Sequence, residues 1–212
     1  MHVDHLTFVA TSEGLESTVA SFENALGCKA KNGGFHPRFG TRNFIVPLAD
    51  SRYIEIVDVL DHPSAEKAVY GQAVRECQSR GGGWLGWAIS VDDISSVEAR
   101  LNRSSIVGSR QFPDGRCVEW RQIGVQGLLS DHQLPYFLKW TSDSELLPSA
   151  LRGDVRLSTI EFAGSAQRVA EWIGVDVYDI LDGVELAFQS PHGAPGILAA
   201  TFEVPGKGQV RI

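Results

Sequence analysis

The chain has 212 residues, room for one large domain or two small ones, and its hydrophobic (43%) and charged (21%) shares are those of an ordinary globular protein. A net charge of −7 with no run of Lys or Arg leaves no electrostatic footprint for a nucleic-acid backbone or an anionic membrane. Cys28, Cys77 and Cys117 are scattered without C-x-x-C spacing, which fits neither a disulfide framework nor a structural zinc site. With no basic-then-apolar leader pattern and no apolar run able to span a bilayer, the expected setting is cytoplasmic.

The first 27 residues read as strand, turn and helix. Period two along DHLTFVA sends His5, Thr7 and Val9 to one face and Leu6, Phe8 and Ala10 to the other. Ser12 is the expected helix cap, Leu15, Val19, Phe22 and Leu26 form the apolar stripe, and Gly27 ends it. Three strand-like runs follow: CKAKNGGF, TRNFIVPL and RYIEIVDVL. In the last, alternation puts Ile54 and Ile56 on the apolar face and leaves Tyr53, Glu55 and Val57 opposite.

HPSAEKAVYGQAVRECQSRGGG reads as a connecting helix and a glycine-rich hinge. WLGWAISVDDISSVEARL repeats the strand–turn–helix pattern with Ile94, Val97 and Leu101 as its stripe, and SIVGSRQF, VEWRQIGV and PYFLKWT supply three strands after it. A third copy opens at VRLSTIEFAGSAQRVAEWIG, with Val169, Trp172 and Ile173 inward and Gly174 as the stop. It continues with VELAFQS and ILAATFEV as a hairpin across PHGAPG. The expected class is α+β. Residues 1–62 form a βαβββ module, 63–83 a connector, 84–141 a second βαβββ module and 142–212 a partial third βαββ module, the paired modules making a concave mixed sheet.

This duplicated pattern, with His on its first strand and Glu on its fourth, resembles the vicinal oxygen chelate superfamily. DHLTFVA, HPRFGTRNFIVPL, RYIEIV and LPYFLKW are similar to its glyoxalase-like domain family, over residues 1–141. The resemblance implies a cup between paired modules, and a divalent metal (Zn, Fe, Mn or Ni) held by one residue from the first and one from the fourth strand of each module. His5 and Glu55 match the first module's two positions, and both are chemically suitable donors. In the second module Gly86 falls at the place of His5 and Lys139 at the place of the acid, so two of four ligands are missing. Glu119, Asp131 and His132 are nearby alternative donors.

The site expected from these residues is a small-molecule cup. Glu55 and Lys139 are the catalytic candidates, paired across it, Lys139 polarising a carbonyl while Glu55 takes a proton from the adjacent carbon. His36 and Arg42 stand at the mouth, Thr41, Asn43 and Tyr53 face inward, and Arg42 or Arg121 suits a substrate carboxylate. Gly86 gives room, and Phe137 shares the face of Lys139 while Tyr136, Trp120 and Trp140 alternate away. The plain alternatives are a rim histidine at 5, a solvated glutamate at 55, a structured loop in HPRFGTRN and core aromatics.

No G-x-S-x-G, P-loop or H-E-x-x-H occurs, and GGFHPRFG and SRGGGWLG are glycine-rich without the strand–loop–helix context of a dinucleotide site. Two functions of different class remain. One is an isomerase, lyase or dioxygenase acting on a small oxygenated or carboxylated compound, with or without a metal. The other is a non-catalytic protein that sequesters a small molecule. The expected partner is a small-molecule ligand, with neither nucleic acid nor membrane, and the family leads one to expect a homodimer.

Overall fold

The computed structural model describes residues 1–112, 114–177, 181–189 and 194–212. The first module contains β1 (His2–Val9), α1 (Leu15–Leu26), β2 (Lys31–His36), β3 (Thr41–Pro47) and β4 (Tyr53–Val59). The connector is two helices, α2 (Pro63–Lys67) and α3 (Val69–Ser79), divided where Ala68 takes an extended conformation. The second module contains β5 (Gly83–Ser90), α4 (Ile94–Leu101), β6 (Ile106–Gln111), β7 (Cys117–Ile123), a short α5 (Gly127–Ser130) and β8 (Tyr136–Trp140). Two 3₁₀ turns (Ser144–Leu146 and Pro148–Ala150) lead to β9 (Arg156–Ala163), α6 (Ala166–Ile173), β10 (Glu185–Gln189), β11 (Gly196–Val204) and β12 (Gly208–Arg211).

The two modules do not stop at an open concave sheet. Their strands close into an eight-stranded barrel in the order β1-β4-β3-β2-β6-β7-β8-β5. Within each module the first and fourth strands run parallel, and the modules join through β1–β5 and β2–β6. Closure leaves no free edge and gives the barrel two environments. Outside, Leu6, Ile54 and Ile56 bury against Leu15, Phe22 and Leu26 of α1. Inside, Val9, Val57, Ala88, Val118 and Leu138 meet Tyr70, Ala73 and Val74 of α3.

The C-terminal third departs from the expected module. Its sheet has the order β10-β9-β11-β12, so β9 separates the two strands expected to form a hairpin, and β12 is a fourth strand. Of the expected PHGAPG turn, residues 191–193 lie outside the described residues. This sheet shares one apolar core with the barrel's outer face, where the Trp87 and Phe162 rings lie 5.3 Å apart. Two local expectations also shift or hold for clear reasons. The first helix starts after Gly14 (φ 95°) with no side-chain cap, so Ser12 does not cap it. Gly27 and Gly174 do end their helices, both left-handed. Among the described residues no helix is long and apolar enough to cross a membrane.

Candidate functional site

The barrel interior holds a cavity whose atom-free space, open solvent at its mouth included, is about 420 Å³. His5, His36, Asn43, Tyr53, Glu55 and Tyr70 line it from the first module and connector, and Arg110, Trp120, Gln122, Tyr136 and Trp140 from the second. Such a concentration of buried polar groups is expensive unless the groups bind one another or a ligand.

His5 is 4% exposed and held at both ring nitrogens. Nδ1 lies 2.7 Å from Asp4 Oδ1, and Nε2 lies 2.6 Å from the Tyr136 phenol oxygen. Against the Asp4 carboxylate Nδ1 is the donor, which in the neutral imidazole leaves Nε2 to accept from Tyr136. Tyr53 stacks on the imidazole at 4.6 Å between centroids, and burial pushes the Tyr53 and Tyr136 phenols well above their ordinary range. Asp4 reaches this position because the β1–β5 ladder bulges between Val3 and His5, and its second oxygen accepts from Trp140 Nε1 at 3.0 Å.

Glu55 is also buried. Oε1 accepts from Asn43 Nδ2 at 2.6 Å, and Oε2 accepts from the Tyr70 phenol and, at 3.4 Å, from Thr7. Burial pushes its carboxyl up, but His36, His5 and the bonds from Tyr70 and Asn43 outweigh burial and hold it below the usual carboxylate range. His36 Nε2 is 3.6 Å from Oε1, while Nδ1 bonds Thr41 Oγ1 at 2.8 Å. Burial brings His36 down to about 4, so near neutral pH its imidazole is uncharged.

Of the residues singled out from sequence, the structure gathers His5, His36, Asn43, Tyr53 and Glu55 at the cavity, with Thr41 bound behind His36. Others lie elsewhere. Lys139 is on the outer face and donates to the Asp92 carbonyl, and Phe137 is fully buried in the outer core beneath Arg100. Tyr136, Trp120 and Trp140, expected to face away, are the ones that line the cavity. Arg42 pairs with Asp58 at 2.9 Å, and Arg121 with Ser105 at 2.8 Å and Glu98 at 3.7 Å. The space expected at Gly86 is filled, since a Cβ there would come within 2.5 Å of Leu128 on α5.

The register of the second module explains these differences. His5 pairs with Tyr53 in the parallel β1–β4 ladder, and Ala88 pairs with Tyr136 in the matching β5–β8 ladder. His5 and Ala88 also face each other directly across β1–β5. The counterpart of His5 is therefore Ala88, not Gly86, and two residues after Tyr136 the counterpart of Glu55 is Leu138, not Lys139.

A divalent metal does not fit this donor set. Ala88 and Leu138 supply no donor atom, both His5 nitrogens are engaged, and both Glu55 oxygens accept protein hydrogen bonds. Among the described residues no group of three His, Cys, Asp or Glu could hold a metal ion. Glu119 is exposed and Asp131 pairs with Arg168 at 3.3 Å, so neither supplies a third ligand.

Sequence reading missed Asp4, Tyr70, Arg110 and Gln122. The cation inside the barrel is Arg110, on β6 and 4% exposed. Its guanidinium lies over the Phe112 ring at 4.6 Å, Nε has no partner, and among the described residues the side chain donates no hydrogen bond. Burial lowers its pKa, opposed by Tyr53 and Glu55.

A family model described as a glyoxalase-like domain matches residues 3–176. Comparison with curated proteins gives no match. Among solved structures, a hypothetical protein from Staphylococcus aureus aligns over 99% of this chain and 84% of its own, with TM-score 0.64 and 17% identity. At that identity the likeness is one of fold, and it extends to the C-terminal sheet. Methylmalonyl-CoA epimerase from Mycobacterium tuberculosis aligns over 68% of this chain and 90% of its own, with TM-score 0.47 and 15% identity. The Streptomyces coelicolor enzyme of the same name aligns over 67% and 99%, with TM-score 0.44 and 14% identity.

Proposed function

The chain belongs to the glyoxalase-like domain family, and from that premise we propose that its barrel interior is an isomerase- or lyase-type site acting by proton transfer on a small oxygenated compound. The observation that carries this reading is the Asp4–His5–Tyr136 chain, with contacts of 2.7 and 2.6 Å, whose His5 and Tyr136 line the barrel cavity. A carboxylate that fixes an imidazole tautomer leaves a basic Nε2, and a phenol at that nitrogen is the matching acid.

In this reading the substrate displaces the Tyr136 phenol from Nε2, and the freed phenol turns to the substrate carbonyl. Nε2 takes a proton from the carbon next to a carbonyl, the C–H electron pair moves toward the carbonyl oxygen, and the Tyr136 O–H donates to that oxygen. Returning the proton to another position completes an isomerisation, while expelling a leaving group from the neighbouring carbon completes an elimination. Glu55, its oxygens occupied by Asn43, Tyr70 and Thr7, fixes the negative charge that orients the interior instead of acting as the mobile base. No step needs the metal for which the donor set is lacking, so dioxygenase chemistry loses its support.

The test is deuterium incorporation into a panel of short 2-oxo and 2-hydroxy compounds in D2O, read by proton NMR. The wild type exchanges a carbon-bound proton and His5→Gln loses that exchange. Equal exchange in both proteins overturns the reading. The saturation of Glu55 by protein donors favours the second reading, sequestration without turnover, and binding with no exchange in the wild type would select it.

A further inference from the structure

Arg110 is a buried cation with no hydrogen-bonding partner among the described residues, and it lines the cavity. A guanidinium has five donors in a planar fork, and the Nε of this one is buried without an acceptor, which is costly. Gln122, also a cavity wall and 3% exposed, has a second orphaned donor. Its orientation is fixed because the Trp120 indole N–H can only donate, at 2.6 Å, so the partner is Oε1 and Nε2 is left free. The third unpaired atom on a cavity-lining residue, Asn43 Oδ1, is different. It packs over Gly33, where a Cβ would lie 2.0 Å away, and so is not directed at a ligand.

We propose that the cavity ligand is a small monocarboxylate, its carboxylate held by the Arg110 guanidinium and a further oxygen of the same molecule accepting from Gln122 Nε2. Planar, bidentate pairing suits a carboxylate to the fork of an arginine. A second negative charge on the ligand is disfavoured, because Glu55 and the buried Asp4 already place two carboxylates at the cavity against one strong cation, Arg110. An entry route is present as well. Arg110 and Pro148 line both the cavity and an outer cleft, whose wall also carries Lys31, Glu145 and Arg116, the last paired with Asp114 at 2.8 Å.

This proposal rests on the barrel interior being the ligand site, and the experiment separates the two. Short-chain 2-hydroxy and 2-oxo acids are titrated calorimetrically beside their neutral primary amides, into wild type, Arg110→Met and Arg110→Lys. The expected result is that acids bind about tenfold or more tightly than the matched amides, and that Arg110→Met removes the preference while amide binding persists. Thermal melts show whether Arg110→Met is folded, and an acid should raise the wild-type Tm without raising that of the variant. Acid and amide binding equally, or a preference surviving in Arg110→Met, overturns the carboxylate assignment and leaves the proton-transfer reading standing. If neither series binds the wild type, both fall.

Discussion

Asp4 and His5 are consecutive residues of one strand, yet a β-bulge brings the carboxylate of the first to 2.7 Å from the imidazole of the second. In a regular strand they would face opposite sides. The bulge therefore builds the acid–imidazole pair from adjacent letters of the chain, and Tyr136 extends it from the other module at 2.6 Å. Asp4→Asn keeps the shape but replaces an obligate acceptor with an amide that can donate to Nδ1, stabilising the wrong tautomer. We expect proton exchange to fall on the order of a hundredfold or more while the melting temperature changes by a few degrees. NMR exchange rates and a thermal melt on the same sample check both halves. An unchanged rate would show that Asp4 does not set the tautomer that matters.

Acid should destabilise the fold in two adjoining windows. His36 goes from 6.5 unfolded to about 4 folded, so between those values the unfolded chain binds more protons and stability falls as pH falls. The full span is worth about 3 kcal/mol. Glu55 has a folded pKa below its ordinary 4.5, so its contribution is present above that value and is lost as pH drops through the folded pKa. Urea midpoints measured from pH 7 to pH 4 should decline in the wild type and flatten in His36→Asn. Parallel curves for the two proteins would assign the decline to other groups.

The faces of the first module were legible because its strands keep period two. His5 with Thr7, and Tyr53 with Glu55, lie inside as alternation dictates. Asp4 was not, because a bulge breaks the period without leaving a mark in the letters. In the second module the glycines of GGGWLGWAIS misled the register by two residues, placing Gly86 where Ala88 belongs, and the β8 faces were inverted with it. One signal was present but unread. His36 ends G-F-H and Arg110 ends G-S-R at matching places in the second strands of their modules, which would have put a basic side chain at the cavity in both. Closure into a barrel and the order of the C-terminal sheet are pairing choices among distant strands, which local periodicity does not encode.

Gly33 should be coupled to the Glu55 network through Asn43. A Cβ at Gly33 would lie 2.0 Å from Asn43 Oδ1 and 3.2 Å from its backbone oxygen, so Gly33→Ala must push the amide away from Glu55. The expected cost is about 1–3 kcal/mol, from overpacking and from a weakened bond to a buried carboxylate. In an Asn43→Ala background the obstruction is gone and Gly33→Ala should cost well under half as much. A double-mutant cycle by urea denaturation reads the coupling directly, and additive effects would sever the link.

Installing the missing donors should convert the barrel to a metal site, because the backbone places are still there. Ala88 lies opposite His5, and Leu138 lies where Glu55 lies in the first module. Ala88→His with Leu138→Glu supplies two more ligands, and adding Tyr136→Phe frees the His5 nitrogen that Tyr136 now occupies. The larger side chains should cost about 2–3 kcal/mol in the metal-free variant, since Ala88 is fully buried. Cobalt(II) titrated into the triple variant should give visible absorption bands and raise its Tm, whereas the wild type should give neither. Cobalt bands of equal strength in the wild type would mean that His5 and Glu55 bind a metal despite their protein partners. A triple variant that folds but stays colourless would mean that matching backbone positions do not bring four donors to one point.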